Sequence, residues 1–194
     1  VYLTGLELLM VMLAGVSLPR PEYNKMMKDL IAALKANGPR IKPKVRLLYT
    51  GGHADNPEFF ELLQQNDAHV VSDNTGFGTR AADVLICEDG DPLEAIINYY
   101  FEEKPAATRQ MGTQVERMER LLDLVKQYKA DGVVASRLYM CDLWAFEHFL
   151  MRKRLHENNV PFLELEVDYT PEGQGQIKTR VQAFVESLAD RQTA

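Results

Sequence analysis

The feature that constrains this chain most is a recurring pair. A short apolar run bounded by turn residues is followed by a longer run with helical spacing. Val45-Arg46-Leu47-Leu48-Tyr49-Thr50 lies between Pro43 and Gly51-Gly52. Ala68-His69-Val70-Val71-Ser72 ends at Asp73-Asn74. Gly132-Val133-Val134-Ala135-Ser136 and residues 161–167 supply two more such runs. Runs of this length without strict alternation suit strands buried on both faces. The helical patterns between and after them cover residues 57–63, 92–101, 115–128, 142–157 and 177–188. Strands alternating with helices call for a parallel sheet with helices on both faces. The expected fold is therefore α/β, a three-layer doubly wound sheet of about four parallel strands.

Such a sheet is flavodoxin-like, and an N-terminal helical segment precedes it. Leu6, Leu9, Met10 and Leu13 fall at helical spacing, and residues 15–19 break the pattern. A second helix begins near Pro21, a good first-turn residue. Its apolar stripe is Tyr23, Met26, Met27, Leu30, Ile31 and Leu34, and Asn37-Gly38-Pro39 stops it. Residues 1–40 read as a helical segment joining to a further N-terminal domain, and 41–194 as the α/β domain. The chain starts at Val1 and runs almost directly into apolar sequence, which reads as a piece of a longer protein.

Composition removes several function classes. A chain of 194 residues buries enough surface to stand without disulfides or a structural metal. Its net charge of −6 argues against non-specific nucleic-acid binding. The longest apolar run, from Leu6 to Val16, is interrupted by Glu7 and Gly15 and is about half of a membrane span. Two cysteines make no disulfide framework, and reduced thiols in a cytoplasm are the default.

In an open parallel sheet, ligands bind beyond the carboxyl ends of the strands. That edge gathers Gly51, Gly52 and His53 after the first strand, and Asp73, Asn74 and Gly76 after the second. These form the candidate substrate cleft, although polar and glycine residues follow strands for turn geometry too. Neither glycine cluster matches the dinucleotide or P-loop pattern. Cys141 follows the third strand at a helix start, where backbone amides and the helix dipole favour the thiolate that ligates metal or attacks. No second cysteine or suitable histidine lies at metal-ligand spacing from it. His148 falls seven residues on, on the same helix face, and reads as a half-exposed structural residue. Trp144 and Phe146 read as packing residues, one of them a possible shield for the site. Cys87, after Val84-Leu85-Ile86, reads as buried. Glu116, Arg117, Glu119, Arg120 and Asp123 read as a solvated helix face.

The ordered set of segments resembles a known family. It comprises Arg46 to Gly51, Asn56-Pro57-Glu58, Ala68 to Val71 with Asp73-Asn74, and Gly78-Thr79-Arg80. It continues through Asp91-Pro92-Leu93, Glu116-Arg117 to Tyr128, Asp131-Gly132-Val133 and Cys141-Asp142-Leu143-Trp144-Ala145-Phe146-Glu147. Val160 to Glu164, Asp168-Tyr169, Gly175-Gln176 and Thr179-Arg180 close it. This order and spacing look like the C-terminal half of a subunit of the 2-hydroxyacyl-CoA dehydratase and benzoyl-CoA reductase family. The resemblance implies an oxygen-sensitive enzyme of anaerobic metabolism built from two related subunits. Each dehydratase subunit holds a 4Fe–4S cluster on three cysteines. An ATP-dependent activator iron–sulfur protein injects one electron. In dehydratases, that electron converts the thioester carbonyl of the acyl-CoA substrate to a ketyl radical anion, which expels the 2-hydroxyl group. In reductases, electrons enter the aromatic ring.

By this resemblance Cys141 matches the C-terminal cluster ligand, and the other two cysteines belong to the N-terminal half. The present chain alone is then expected to hold no cluster and to be inactive. It departs from the family pattern at Gly76, where many members carry Cys, at Asn74 in place of a second Asp, and at Pro105-Ala106-Ala107 in place of Pro-Cys-Pro. Two other readings stay open: a non-catalytic paralogue acting as partner or scaffold subunit, and an unrelated flavodoxin-like binding domain.

Overall fold

A computed structural model describes residues 1–52, 56–65, 67–168 and 174–193. Four strands, β1 (Val45–Gly51), β2 (Ala68–Asn74), β3 (Gly132–Leu138) and β4 (Phe162–Val167), form one sheet in the order β2-β1-β3-β4. Every pairing is parallel. The helices are α1 (Gly5–Ser17), α2 (Arg20–Asn37), α3 (Pro57–Leu63), α4 (Pro92–Asn98), α5 (Gln114–Tyr128), α6 (Asp142–Glu157) and α7 (Gln174–Thr193). No described helix is long and apolar enough to cross a membrane.

Side chains alternate across the sheet and build two cores. Val45, Leu47 and Tyr49 face one side with Val134, Leu163, Leu165 and Val167, where α1, α3 and α7 cover them. Leu48, Val133 and Ala135 face the other side, under Met118, Leu121, Leu122 and Val125 of α5 and Trp144, Met151 and Leu155 of α6. The expected doubly wound, three-layer architecture is what the chain adopts. The β1–β2 ladder slips once: Leu47 pairs with Val70, but Leu48 pairs with Ser72.

Local chemistry sets the ends of the elements. Thr4 and Glu7 form a reciprocal capping box at α1. Asn56 and Asp91 cap α3 and α4 through their side chains. At the far end of α5, Arg46 donates from Nη2 to the Tyr128 carbonyl at 2.7 Å and from Nε to the Lys129 carbonyl at 3.0 Å. A β1 side chain thereby satisfies carbonyls that a helix terminus leaves open.

Three elements differ from the sequence reading. The apolar stripe of α2 covers no core, since none of its residues is buried. It lines a cleft of about 690 Å³ with α1, where Leu30 and Leu34 meet Leu6 and Met10. The 92–101 helix ends its α-helical part at Asn98 and continues as a π-helical turn to Glu103, with Tyr99 its buried anchor. Cys87, read as buried, is exposed. The apolar run there ends in a polar, glycine-containing stretch with no neighbouring strand to pair with. The helical segment at the N-terminus also joins the fold itself. Leu9 is in the first core, and the Gly5 N–H donates to Gln64 Oε1 at 2.7 Å.

Candidate functional site

The strand order reverses between β1 and β3, and open α/β sheets bind ligands outside the carboxyl ends of such a pair. Gly51 ends β1 with φ of 146°, a conformation that side chains disfavour. A Cβ there would overlap the Ser136 carbonyl oxygen. The next amide, Gly52 N–H, donates to that carbonyl at 3.2 Å. Below them the buried Tyr49 and Ser136 hydroxyls lie 2.5 Å apart and tie β1 to β3. Gly52 is exposed, and a Cβ on it would collide with the indole Nε1 of Trp144. Two glycines in sequence therefore let β1, β3 and the first turn of α6 meet closely.

Cys141 is the N-cap residue of α6, with extended backbone and no side-chain cap hydrogen bond. Its thiol is free and half-buried, packed against the α5–α6 core. The predicted helix start at Asp142 is the observed one. Trp144 is one turn further along, so both side chains lie toward the same side of α6. The structure thus brings together Gly51, Gly52, Ser136, Trp144 and the Cys141 end of α6. His53 lies outside the described residues.

Asp73 and Asn74 end β2, the neighbour of β1, but the Asp73 carboxylate is engaged in its own turn. Oδ1 accepts from the Thr75 N–H at 2.9 Å, the Thr75 hydroxyl at 2.7 Å and the Thr79 N–H at 3.2 Å. Burial pushes its acidity up the pH scale against these hydrogen bonds and the Arg80 charge. A Cβ on Gly78 would overlap this carboxylate. With Leu9, Met12 and Val70, Asp73 lines a small void under α1. The Asn74 side-chain oxygen is buried without a partner. Gly76 is exposed, and a Cβ on it would come within 3.2 Å of Arg80 Nη2.

Two residues read as surface or half-exposed prove to be interior. Arg117 is 7% exposed, and its guanidinium grips Glu147, itself 2% exposed, through two bonds of 2.7 and 2.8 Å. Its Nη1 also reaches the carbonyls of Ala107 and Gln110 and the Thr113 hydroxyl. One buried side chain thus pins the 107–113 loop and α5 to α6. Arg120 pairs with Asp83 in the same layer. The partners are too distant in sequence for helical spacing to reveal them. His148 is fully buried between Trp144 and Phe162, with Nδ1 3.4 Å from Glu164 Oε1. Burial holds its pKa below the ordinary histidine value, opposed by Glu164.

Among the described residues no group of three or more His, Cys, Asp or Glu is placed to hold a metal ion. Cys141 offers one sulfur ligand at the binding edge, and a three-cysteine cluster requires two more.

These features define an α/β domain with a topological switch point between β1 and β3 and a free thiol at the start of the following helix. The family model described as 2-hydroxyglutaryl-CoA dehydratase, D-component, matches residues 1–188, and the chain belongs to that family. It is similar to YjiM, a provisionally assigned dehydratase subunit of Escherichia coli (strain K12), at 29% identity over 78% of this chain and 39% of the relative. It is also similar to the (R)-phenyllactyl-CoA dehydratase beta subunit of Clostridium sporogenes, at 24% identity over 92% of this chain and 47% of that protein. A benzoyl-CoA reductase subunit of Thauera aromatica is 22% identical over 94% of this chain and 48% of its own length. The chain spans about half the length of these relatives, or less.

Proposed function

We propose that the chain is the C-terminal part of an iron–sulfur subunit in a 2-hydroxyacyl-CoA dehydratase or benzoyl-CoA reductase type of enzyme. The observation that carries this reading is the position of Cys141. It is a free thiol at the N-cap of α6, beside the glycine-built crevice, in a chain of this family. Cys141 would give one thiolate to a 4Fe–4S cluster, with the other two supplied by sequence outside this chain. When bound, such a cluster supplies one-electron chemistry and an open iron position for a substrate oxygen.

The chain's own residues shape where an acyl-CoA thioester would lie. Gly51 and Gly52 let β1, β3 and Trp144 close up at the base of the proposed site. The first-turn amides of α6 point out of the helix with no cap side chain across them, which favours a ligand atom carrying partial negative charge. Arg117 and Glu147 hold α5 and α6 at fixed spacing behind the site. A homologous second subunit and an ATP-dependent activator complete the proposed assembly, in the cytoplasm. Of the two chemistries we favour the dehydratase, a lyase, because that branch of the family is the broader one.

The test is iron and acid-labile sulfide on the full-length protein, purified without oxygen with its partner. About four irons per subunit, lost in Cys141→Ala, is the expected result. No iron in either protein after anaerobic reconstitution would replace this reading with the non-catalytic paralogue.

A further inference from the structure

We infer that α4 and the π-helical turn after it are a docking surface for a second subunit, which meets them with an apolar groove rimmed by lysine and arginine. Leu93, Ile96, Ile97 and Tyr100 recur at the spacing of one helix face. All four are exposed, Leu93 at 64%, and Phe101 beyond them is 77% exposed. No residue of α4 is buried, and only Tyr99 anchors the π-helical turn. A helix of seven residues that buries nothing is marginal in water. The Asp91 cap and Pro92 in the first turn fix where it starts but supply no packing. The stripe needs a cover, and the described residues provide none.

Charge says what the cover is. From Asp83 to Glu103 the chain has seven acidic residues and no lysine or arginine, more negative charge than the net −6 of the whole chain. Asp83 is spent on Arg120. The other six, Glu88, Asp89, Asp91, Glu94, Glu102 and Glu103, are exposed and have no ion-pair partner among the described residues. Lys104, which ends the run, lies over the Tyr99 and Tyr100 rings at 5.8 and 4.9 Å. A second copy of this chain would set like charge against like. Anionic lipid and nucleic acid are opposed in the same way. A protein face of opposite sign is favoured, with an apolar centre to take the stripe. The segment leaves the α5 side of the sheet through the Asp83–Arg120 pair. Val1, tied to the Ile41 carbonyl at 2.7 Å, leads into α1 on the opposite face. A separate chain thus reaches α4 more directly than sequence continuing from Val1 would. That this separate chain is a second subunit rests on the function proposed above; the need for a cover rests on the exposed, acidic stripe.

The experiment uses the full-length protein, alone and with the second subunit, purified without oxygen. Hydrogen exchange is followed by mass spectrometry in peptides spanning residues 91–103. The expected result is fast exchange in the full-length protein alone and exchange slowed about tenfold or more in the complex. Two variants of the full-length protein then check the two parts of the surface. Ile97→Ser with Phe101→Ser removes apolar contact and is expected to weaken association about tenfold or more. Glu94→Lys with Glu102→Lys keeps good helix formers and is expected to weaken association about tenfold at low salt, and less in about 0.5 M NaCl. Slow exchange already present in the full-length protein alone would mean that its own chain or a second copy covers the stripe, and would overturn the inference. A complex that forms with residues 91–103 unprotected, and with unchanged affinity in both variants, would overturn it too, while the functional reading stands. If the two chains do not associate, the inference falls, and the iron lost or kept in Cys141→Ala decides the functional reading separately.

Discussion

The charged interior of this protein rests on a few residues, and each has a measurable consequence. Removing one member of a buried ion pair strands the other charge. Arg117→Ala is therefore expected to cost about 3–5 kcal/mol of stability in urea unfolding, and Glu147→Ala a similar amount. The double substitution should cost less than the sum of the two. His148 gives a pH dependence. Its folded pKa is lowered by burial, opposed by Glu164, while Arg137 and Arg152 favour the neutral ring. Below about pH 6.5 the unfolded chain binds the proton more readily than the folded one. The His148 contribution is thus complete above that value and is lost as the pH falls toward the folded pKa. Unfolding curves between pH 7.5 and 5 should show it, and His148→Phe should remove that part of the slope. At the crevice, Gly52→Ala forces Trp144 to move, and it is expected to destabilise the fold by about 1–3 kcal/mol. A displaced indole cross-peak would confirm the cause.

At the scale of elements, periodicity carries information about faces but none about what covers them. α6 is legible to the residue, from Asp142 to Glu157, because a turn precedes it and Asn158-Asn159 follows. On α5 the spacing of Met118, Leu121, Leu122 and Val125 marks the face that is buried. The stripe on α2 is equally clear in sequence, yet it faces a cleft, since the sheet is already covered by α1, α3 and α7. Arg117 looks like surface because its acceptor, Glu147, is 30 residues away on another helix. The Gly52–Trp144 contact is hidden likewise, because only the β1–β3 pairing brings the two together. α4, like α2, has no buried residue, and it is the shorter of the two. Its amides are expected to exchange with deuterium much faster than those of α5, as hydrogen exchange followed by mass spectrometry would show.

Across the whole molecule, the apolar surface is uneven. Tyr139, Met140 and Leu143 are exposed around the Cys141 end of α6, and Phe146 and Phe149 extend the patch. Monomeric soluble proteins rarely expose so many large side chains together. They contribute little to the fold of the chain itself. Replacing Phe146 and Phe149 together by serine should leave the unfolding free energy within about 0.5 kcal/mol per site, and reduce binding of an apolar dye. The parallel, doubly wound class of the sheet was readable from four strand-like segments. The surface surrounding them was not, because a single chain's hydrophobicity says how much apolar surface exists and not where it stays uncovered.

The slip in the β1–β2 ladder has a consequence for the turn that follows it. Strands count their faces by twos, yet Val70 and Asp73 stand three residues apart and both line the void under α1. The slip takes up the extra residue at Val71, so Val70 and Asp73 share the α1 side despite their odd spacing. Deleting Val71 would keep Asp73 on that side with a regular ladder, whereas straightening the ladder with Val71 in place would turn the acid toward α5. The chain's arithmetic, more than any contact, assigns Asp73 to bracing its turn.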